Sequence, residues 1–242
     1  MNTTRTIRVL VTVLALGVAA TANAQTMPFG GKLWVGVNAG AQTRSSTVNN
    51  DFSFPLYRET ATVATTASVS SGAIYDLNIG YRITPMIGAA LGYTYFSATG
   101  TAQGTGSIPS PIFFNRPASV SIPGTDAKRT DHNIYLVVVG FMPITDKMEV
   151  SGFIGPSFTR VKQELINEAT VPSGTQTVVS TIQDQHGTAK GINVGADITY
   201  QILNQVGAGG FIRYITGSAD LTSAQDVKVG GFQIGIGARL RF

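Results

Sequence analysis

The sequence predicts an all-β fold: an eight-stranded antiparallel up-and-down transmembrane β-barrel with short periplasmic turns and long extracellular loops. Apolar and polar residues alternate with a period of two along most of the 242-residue chain, which is typical of half-buried strands, and sustained helical periodicity is missing. The connections between these segments are alternately short and long, as in membrane barrels. In addition, only 12% of the residues are charged, about half the roughly 25% that is typical of soluble domains.

The N-terminus has the pattern of a signal peptide. Two arginines precede an apolar run at residues 9–20, and the triplet that ends at Ala24 has the small-x-small form of a signal-peptidase site. The run is shorter than the about 20 apolar residues that a membrane-spanning helix needs. We therefore expect residues 1–24 to be a cleaved signal peptide and residues 25–242 to be a barrel in the outer membrane of a Gram-negative bacterium. An uncleaved N-terminal anchor is the alternative.

Eight segments have the alternation of a strand. They are residues 32–43, 68–83, 87–100, 130–143, 147–165, 189–202, 205–219 and 227–242. Each is long enough for a tilted membrane strand, which needs about 9–11 residues.

The connections fall into two length classes. The short ones are residues 84–86, 144–146 and 203–204, and the long ones are residues 44–67, 101–129, 166–188 and 220–226. In bacterial barrels the short turns are periplasmic and the long loops are extracellular. The same arrangement is expected here.

The last strand shows the two faces of a membrane strand most clearly. One face carries apolar residues throughout: Phe232, Ile234, Ile236, Ala238, Leu240 and Phe242. Glutamine, glycine and arginine alternate with them, so the apolar face suits lipid and the polar face suits a lumen. The second, third and sixth strands repeat this pattern. The fourth strand is apolar on both faces at residues 134–139, so its inward face stays open.

Aromatic residues predict two girdles at the membrane interfaces. Outward aromatics lie 9 to 11 residues from the short-turn end of several strands, which matches girdles about 25 Å apart on tilted strands. The proposed girdle residues are Tyr81, Tyr95, Phe158, Tyr200 and Tyr214. A general preference of aromatics for strands is the competing explanation.

Charged residues of inward parity predict a polar network in the lumen. The set is Asp76, Arg82, Glu149, Asp197, Arg213 and Arg239, with Lys32 and Arg241 near the periplasmic rim. Buried charges must be paired or solvated, so the set is either a gate in a narrow channel or a static ion-pair lattice. Barrels of about eight strands are filled by side chains, which favours the lattice and predicts little conductance.

No motif in the sequence predicts catalysis or cofactor binding. The chain has no cysteine and only two histidines. His132 follows Asp131 directly, and neighbours on a strand point to opposite faces, so the two do not form an activated pair. We therefore predict no catalytic, cofactor or metal site. The formal charge of +4 is not clustered, which argues against nucleic-acid binding.

The chain resembles the small OmpA-type, porin-like family of outer-membrane β-barrels over residues 32–242. The terminal phenylalanine with alternating apolar residues before it is similar to the family's β-signal, and the hairpin around Pro85 is similar to family hairpins. The resemblance implies recognition of the six apolar residues of the last strand by the barrel-assembly machinery. Full OmpA proteins carry a peptidoglycan-binding domain that is not expected here.

The expected role is structural or surface-interacting, adhesin- or antigen-like, with a filled lumen. The expected partners are outer-membrane lipid, lipopolysaccharide and a host or cell-surface ligand that binds the Ser/Thr-rich loops. The alternatives are a narrow porin-like channel and, less favoured, a lipid-modifying enzyme.

Overall fold

The fold is built from ten β-strands. The computed structural model describes residues 31–43, 46–110, 113, 115–170, 179–222 and 224–242, so the expected signal peptide lies outside the described residues. The strands are β1 (Leu33–Thr43), β2 (Ser46–Leu56), β3 (Glu59–Val69), β4 (Gly72–Arg82), β5 (Ile87–Ile108), β6 (Ala118–Thr145), β7 (Met148–Thr170), β8 (Val179–Gln201), β9 (Val206–Ala219) and β10 (Val227–Arg241). Over the described residues, no helix is long and apolar enough to span a membrane.

Eight of the strands close into a ring, which confirms the predicted barrel. The order around it is β1-β4-β5-β6-β7-β8-β9-β10, and β1 pairs back onto β10 from Trp34↔Arg241 to Thr43↔Phe232. Neighbouring strands are antiparallel throughout. Closure is required because lipid has no groups to hydrogen-bond an open sheet edge.

The outer face of the ring is an apolar belt. Large hydrophobic side chains alternate with buried residues along each strand, and Ile236 is the most exposed of them at 74%. Every second residue of a strand points outward, so this belt follows directly from the alternation in the sequence. The belt is the surface that contacts lipid.

The structure also assigns the faces of β6, which the sequence left open. Ile134, Leu136 and Val138 are more than half exposed, whereas Tyr135 and Val137 are buried. The inward apolar residues of β6 pack with Trp34 inside the barrel. Both faces are apolar because one contacts lipid and the other fills the lumen.

The expectation of a loop at residues 44–67 is wrong, because this segment holds the hairpin β2–β3. The hairpin pairs through β3 with the upper half of β5, from Thr62↔Ser107 to Ser68↔Thr101. Its turn consists of Tyr57 and Arg58, which both have positive φ (51° and 66°). Hairpin turns of this kind are normally marked by Asn or Gly. Because neither residue type occurs in this turn, the sequence carried no indication of a hairpin.

The strands β5 to β8 also extend further than predicted on the long-loop side. Most of the expected loops at residues 101–129 and 166–188 is strand, and the predicted second strand at 68–83 begins at Gly72 because Ser68 and Val69 belong to β3. These extensions are rich in Thr, Ser and Gly, so their alternation in hydropathy is weak. Above the membrane, β5 pairs with the hairpin and with β6, and the extensions of β7 and β8 pair with each other. We call this part of the molecule the extracellular extension; its described residues are 46–69, 97–110, 113, 115–131, 160–170, 179–188, 218–222 and 224–228.

Candidate functional site

The lumen of the barrel holds a network of buried charges. Its periplasmic end is formed by Glu149 on β7, which accepts hydrogen bonds of 2.8 and 2.7 Å from the Arg82 guanidinium and a further one from Arg241. The side chains of Arg82 and Glu149 are 3% and 2% exposed. The Arg82 guanidinium lies 3.8 Å from the centroid of the Phe141 ring. One carboxylate therefore joins β4, β7 and β10 at this level.

Arg241 was expected near the rim, and the structure instead buries it in this cluster. Its side chain is 7% exposed and ion-paired with Glu149. Residue 241 has inward parity on β10, so its side chain points into the periplasmic end of the lumen. Lys32, the other residue expected at the rim, is exposed.

Asp76 on β4 is the centre of the network. Its carboxylate accepts hydrogen bonds from five side chains: Asn38 at 2.9 Å, Asn78 at 3.1 Å, Thr94 at 2.9 Å, Tyr135 at 2.9 Å and Arg213 at 2.8 Å. These donors come from β1, β4, β5, β6 and β9. Charge-assisted hydrogen bonds of this kind offset the cost of burying a carboxylate.

The remaining predicted charges are linked to Asp76 through amides. Arg239 forms an ion pair with Asp197, and its Nη1 donates to Asn38 at 2.5 Å. On the opposite side, Arg213 Nε donates to Gln233 at 2.5 Å, and Gln233 donates to Gln42 at 2.6 Å. All six predicted lumen charges thus lie inside the barrel, and the structure brings them into three carboxylate-centred clusters.

A further ion pair lies above this lattice and was missed by the sequence analysis. Arg129 Nε and Nη2 donate to the two oxygens of Asp131 at 2.9 and 3.0 Å, and both side chains are buried. Arg129 and Asp131 share the inward face of β6 with Asn133 and Tyr135. The polar residues at every second position of 129–133 were the available signal. Residues 134–139, which follow, are apolar on both faces, so the sequence did not show which face residues 129–133 turn inward.

An apolar cluster closes the lumen on the extracellular side. It is made by the hairpin, by the extensions of β5 to β7 and by the segment before β10: Val48, Val63, Ala67, Ala102, Ile122, Ala127, Leu165, Ile166, Leu221, Ala224 and Val227. Asn50 on β2 donates to the Ile166 carbonyl at 2.9 Å, which ties the free edge of the hairpin to the opposite wall. A solute that enters from outside meets this cluster first.

The lumen contains a small, partly open cavity of about 70 Å³ among the charged clusters. Asp76, Asp197, Arg213, Arg239 and Arg241 are among the side chains that line it. This volume has room for a few water molecules, not for a hydrated solute. Open aqueous lumens occur in barrels of 16 or more strands.

The predicted girdle residues lie on the outer surface. Tyr81, Phe158, Tyr200 and Tyr214 are 42 to 53% exposed, whereas Tyr95 is half-buried. Tyr95 is partly covered because the His132 ring packs against it at 5.3 Å between centroids. The six apolar residues of the last strand also face outward, with Leu240 half-buried and the others exposed.

An open groove of about 790 Å³, much larger than the lumen cavity, lies in the extracellular extension. It lies across β2, β3, β5 and β6. Half of its lining residues carry a hydroxyl group (Ser53, Thr62, Thr105, Ser107, Ser119 and Ser121), and Val63, Ala64, Gly106 and Val120 also line it. Asp51 and Phe52 complete one side. The groove is open to the external solvent, in contrast to the lumen cavity.

His132 and Asp131 lie on opposite faces of the barrel wall. Asp131 is 3% exposed and paired inside with Arg129, whereas His132 is exposed and its Nδ1 lies 2.6 Å from the Tyr93 hydroxyl. Among the described residues, no group of three or more His, Asp or Glu side chains is placed to hold a metal ion.

The comparisons with known proteins agree with this architecture. The family model of the outer membrane protein beta-barrel domain matches residues 10–239. The chain belongs to this family. It is therefore a bacterial outer-membrane β-barrel, and the predicted location is confirmed. A search of the curated proteins by sequence finds no match.

Several solved structures of outer-membrane proteins are similar to this chain. Neisserial surface protein A is 15% identical, with 87% of this chain and 97% of that chain covered and a TM-score of 0.44. OprG from Pseudomonas aeruginosa is 13% identical (90% and 99% covered, TM-score 0.47). The outer membrane protease OmpT from Escherichia coli is 13% identical (91% and 100% covered, TM-score 0.47).

Proposed function

We propose that this outer-membrane barrel is closed to solutes and acts through its extracellular surface, as a structural or adhesin-like protein. The observation that carries the proposal is the set of buried side chains that fills the lumen. Three carboxylate-centred clusters cross the barrel, and the apolar cluster of the extracellular extension lies above them. A conducting path would have to break several buried ion pairs at once, each of which is costly to disrupt.

The extracellular groove supports a role in binding at the cell surface. Its volume of about 790 Å³ is within the range of about 300–1,000 Å³ that is usual for ligand sites. Hydroxyl groups, one carboxylate and one phenyl ring offer hydrogen bonds and an apolar contact to a polar ligand such as a cell-surface glycan. The rigid β-extension holds these groups outside the membrane, where a host or neighbouring cell is accessible.

The conductance of the purified, refolded protein tests the closed lumen. We expect no stable single-channel currents in planar bilayers and no swelling of liposomes in isotonic sugar solutions. Swelling that discriminates sugars by size would contradict the proposal and would favour a narrow porin-like channel. The cavity among the lumen charges is the feature that would support that alternative.

We further propose that the protein is not an enzyme. The separation of His132 from Asp131 by the barrel wall supports this, because the carboxylate, which is paired with Arg129 inside, cannot orient the imidazole as the acid of a catalytic triad does; the ring contacts the neutral Tyr93 hydroxyl instead. Lipid A from cells that express the His132→Ala variant should be identical to wild-type lipid A by mass spectrometry. Loss of a lipid A modification in these cells would identify a lipid-modifying enzyme instead.

A further inference from the structure

Two basic side chains face outward at the upper edge of the apolar belt. Arg160 on β7 and Lys190 on β8 are both exposed. Lys190 lies ten residues above the girdle residue Tyr200 on the same strand, which corresponds to a height of about 25 Å for a strand tilted by about 40°. This is the height of the apolar band, so Lys190 lies where the lipid headgroups of the outer leaflet begin, and Arg160 lies slightly higher.

The two side chains are diagonal neighbours on the same face. Arg160 pairs in register with Thr188, and Lys190 pairs with Phe158. Diagonal neighbours in an antiparallel pair are about 7–8 Å apart at their Cα atoms, which is within reach for long side chains. A single anion between them would therefore contact both.

Neither charge is neutralised by an acid of the protein. All thirteen acidic residues of the chain lie in the described segments, and none of them forms an ion pair with Arg160 or Lys190. The register partners of the two charges on the outward face are His132, Phe158, Thr188 and Ser218. Asp220, two residues beyond Ser218, is the nearest acid along β9; its Oδ1 accepts a hydrogen bond from the Asp226 N–H, and among the described residues it is in no ion pair with Lys190. Like charges at such short range repel each other unless an anion is present.

Other basic residues of the same surface differ in this respect. Lys162 lies 2.8 Å from Asp184, and the hydrogen bond from this carboxylate raises the pKa of Lys162. Lys228 lies 2.7 Å from Asp226, whose pKa is lowered by the hydrogen bond from the ammonium group. The chain thus neutralises the basic residues on either side and leaves Arg160 and Lys190 without a protein counter-ion.

The apolar surroundings indicate what kind of anion fits. Phe158 and Ile192 are 51% and 52% exposed directly below the two charges, so a ligand at this place has one end in hydrocarbon. A free ion would leave the apolar surface of Phe158 and Ile192 uncovered, whereas the acyl chains of a lipid would bury it. Anionic headgroups at the membrane surface attract each Lys or Arg nearby by about 1 kcal/mol.

We propose that Arg160 and Lys190 together bind a phosphate of the phosphorylated glycolipid of the outer leaflet, the lipid A part of lipopolysaccharide. The guanidinium binds two phosphate oxygens as a fork, and the ammonium binds a third as a point charge. The acyl chains lie along Phe158 and Ile192. The site is independent of the proposed surface role, since it needs neither the groove nor a closed lumen.

Binding of labelled, bisphosphorylated lipid A to the protein in zwitterionic micelles tests the site. The double variant Arg160→Gln, Lys190→Gln is compared with the double variant Lys162→Gln, Lys228→Gln, which loses the same two charges at similar heights. We expect the first variant to raise the apparent dissociation constant about thirtyfold, because it loses two contacts of about 1 kcal/mol each. The control variant should change it less than about threefold. Resistance of the unheated barrel to unfolding in SDS shows that both variants fold.

Dephosphorylated lipid A distinguishes the phosphate from the acyl chains. It should bind to wild type as weakly as the phosphorylated form binds to the Arg160, Lys190 variant. Three results would overturn the proposal: equal weakening by both double variants, equal binding of the dephosphorylated lipid, or no saturable binding by the wild type. Each of these results leaves the conductance test of the closed lumen unaffected.

Discussion

Asp76 shows how one buried carboxylate organises residues from five strands. It accepts hydrogen bonds from Asn38, Asn78, Thr94, Tyr135 and Arg213. Its inward position was predictable, because the second strand of the sequence alternates without interruption around it. Its partners were not predictable, because the sequence contains no information on strand register, and the donors come from positions up to 137 residues away. Arg129 and Asp131 were missed altogether for the reason that β6 is apolar on both faces.

The Asp76→Asn variant should be strongly destabilised. The substitution keeps the volume and leaves Arg213 buried without its counter-charge, which costs about 3–5 kcal/mol in comparable pairs. Urea unfolding of the refolded protein in vesicles measures the change. The Tyr135→Phe variant, which removes one donor, should lose about 1 kcal/mol. Asp146→Asn in an exposed turn should stay within about 0.5 kcal/mol. If all three variants were equally stable, the network would contribute nothing to the barrel.

Gly92 provides the space that the Tyr135 ring occupies. A Cβ atom at residue 92 would overlap this ring, whereas at Gly140 the nearest atom would be 3.9 Å away. The Gly92→Ala variant should therefore be destabilised by about 1–3 kcal/mol in the same unfolding assay. Gly140→Ala should be neutral or slightly stabilising. The opposite ranking would show that Tyr135 moves freely in the lumen.

At the scale of elements, the hairpin β2–β3 is separate from the ring that spans the membrane. In the ring, β1 pairs directly with β4 along its whole length, from Leu33↔Tyr81 to Gln42↔Gly72. The hairpin between these two strands in the sequence takes no part in this pairing. The hairpin contributes instead to the apolar cluster above the lumen. The ring was predictable because lipid imposes strong alternation on every membrane strand. The hairpin was not, since its alternating residues are small or polar and its turn contains no glycine.

Deletion of residues 46–69 should leave a barrel that still folds. The deletion leaves a short loop between Thr43 and Gly72. This loop has little distance to span, because Gln42 and Gly72 are already register partners. The unheated variant should keep the fast mobility in SDS gels that a closed barrel shows. It should also bind more of a hydrophobic dye than wild type, because the apolar cluster loses Val48, Val63 and Ala67. A variant that migrates as an unfolded chain would place the hairpin in the folding core.

At the scale of the whole molecule, the barrel is apolar outside, charged in its membrane-spanning lumen and apolar again at its extracellular mouth. The first two layers follow from the alternation in the sequence. The third required the structure, because Ala, Val and Leu in Ser/Thr-rich segments do not indicate that they meet over the lumen. Trp34, the sole tryptophan of the chain, lies inside, with its ring 5.2 Å from that of Phe141 in an edge-to-face contact.

The fluorescence of Trp34 reports on this layering. Acrylamide in the buffer and brominated acyl chains in the bilayer should both quench it weakly, since the side chain is 9% exposed and is separated from lipid by the barrel wall. The Tyr200→Trp substitution in a Trp34→Phe background moves the probe to an outward position that is 53% exposed. Brominated lipid should then quench strongly. Strong acrylamide quenching of Trp34 in the wild type would reveal a water-filled lumen.

The seam between β1 and β10 determines when this protein is able to mature. Ten consecutive register pairs join residues 34–43 to residues 232–241, so the cylinder has no stable closed form until the ribosome has released its final strand. A shorter sheet would keep two unpaired edges and an apolar outer face. Closure of the barrel in the outer membrane must therefore follow synthesis of residues 232–241.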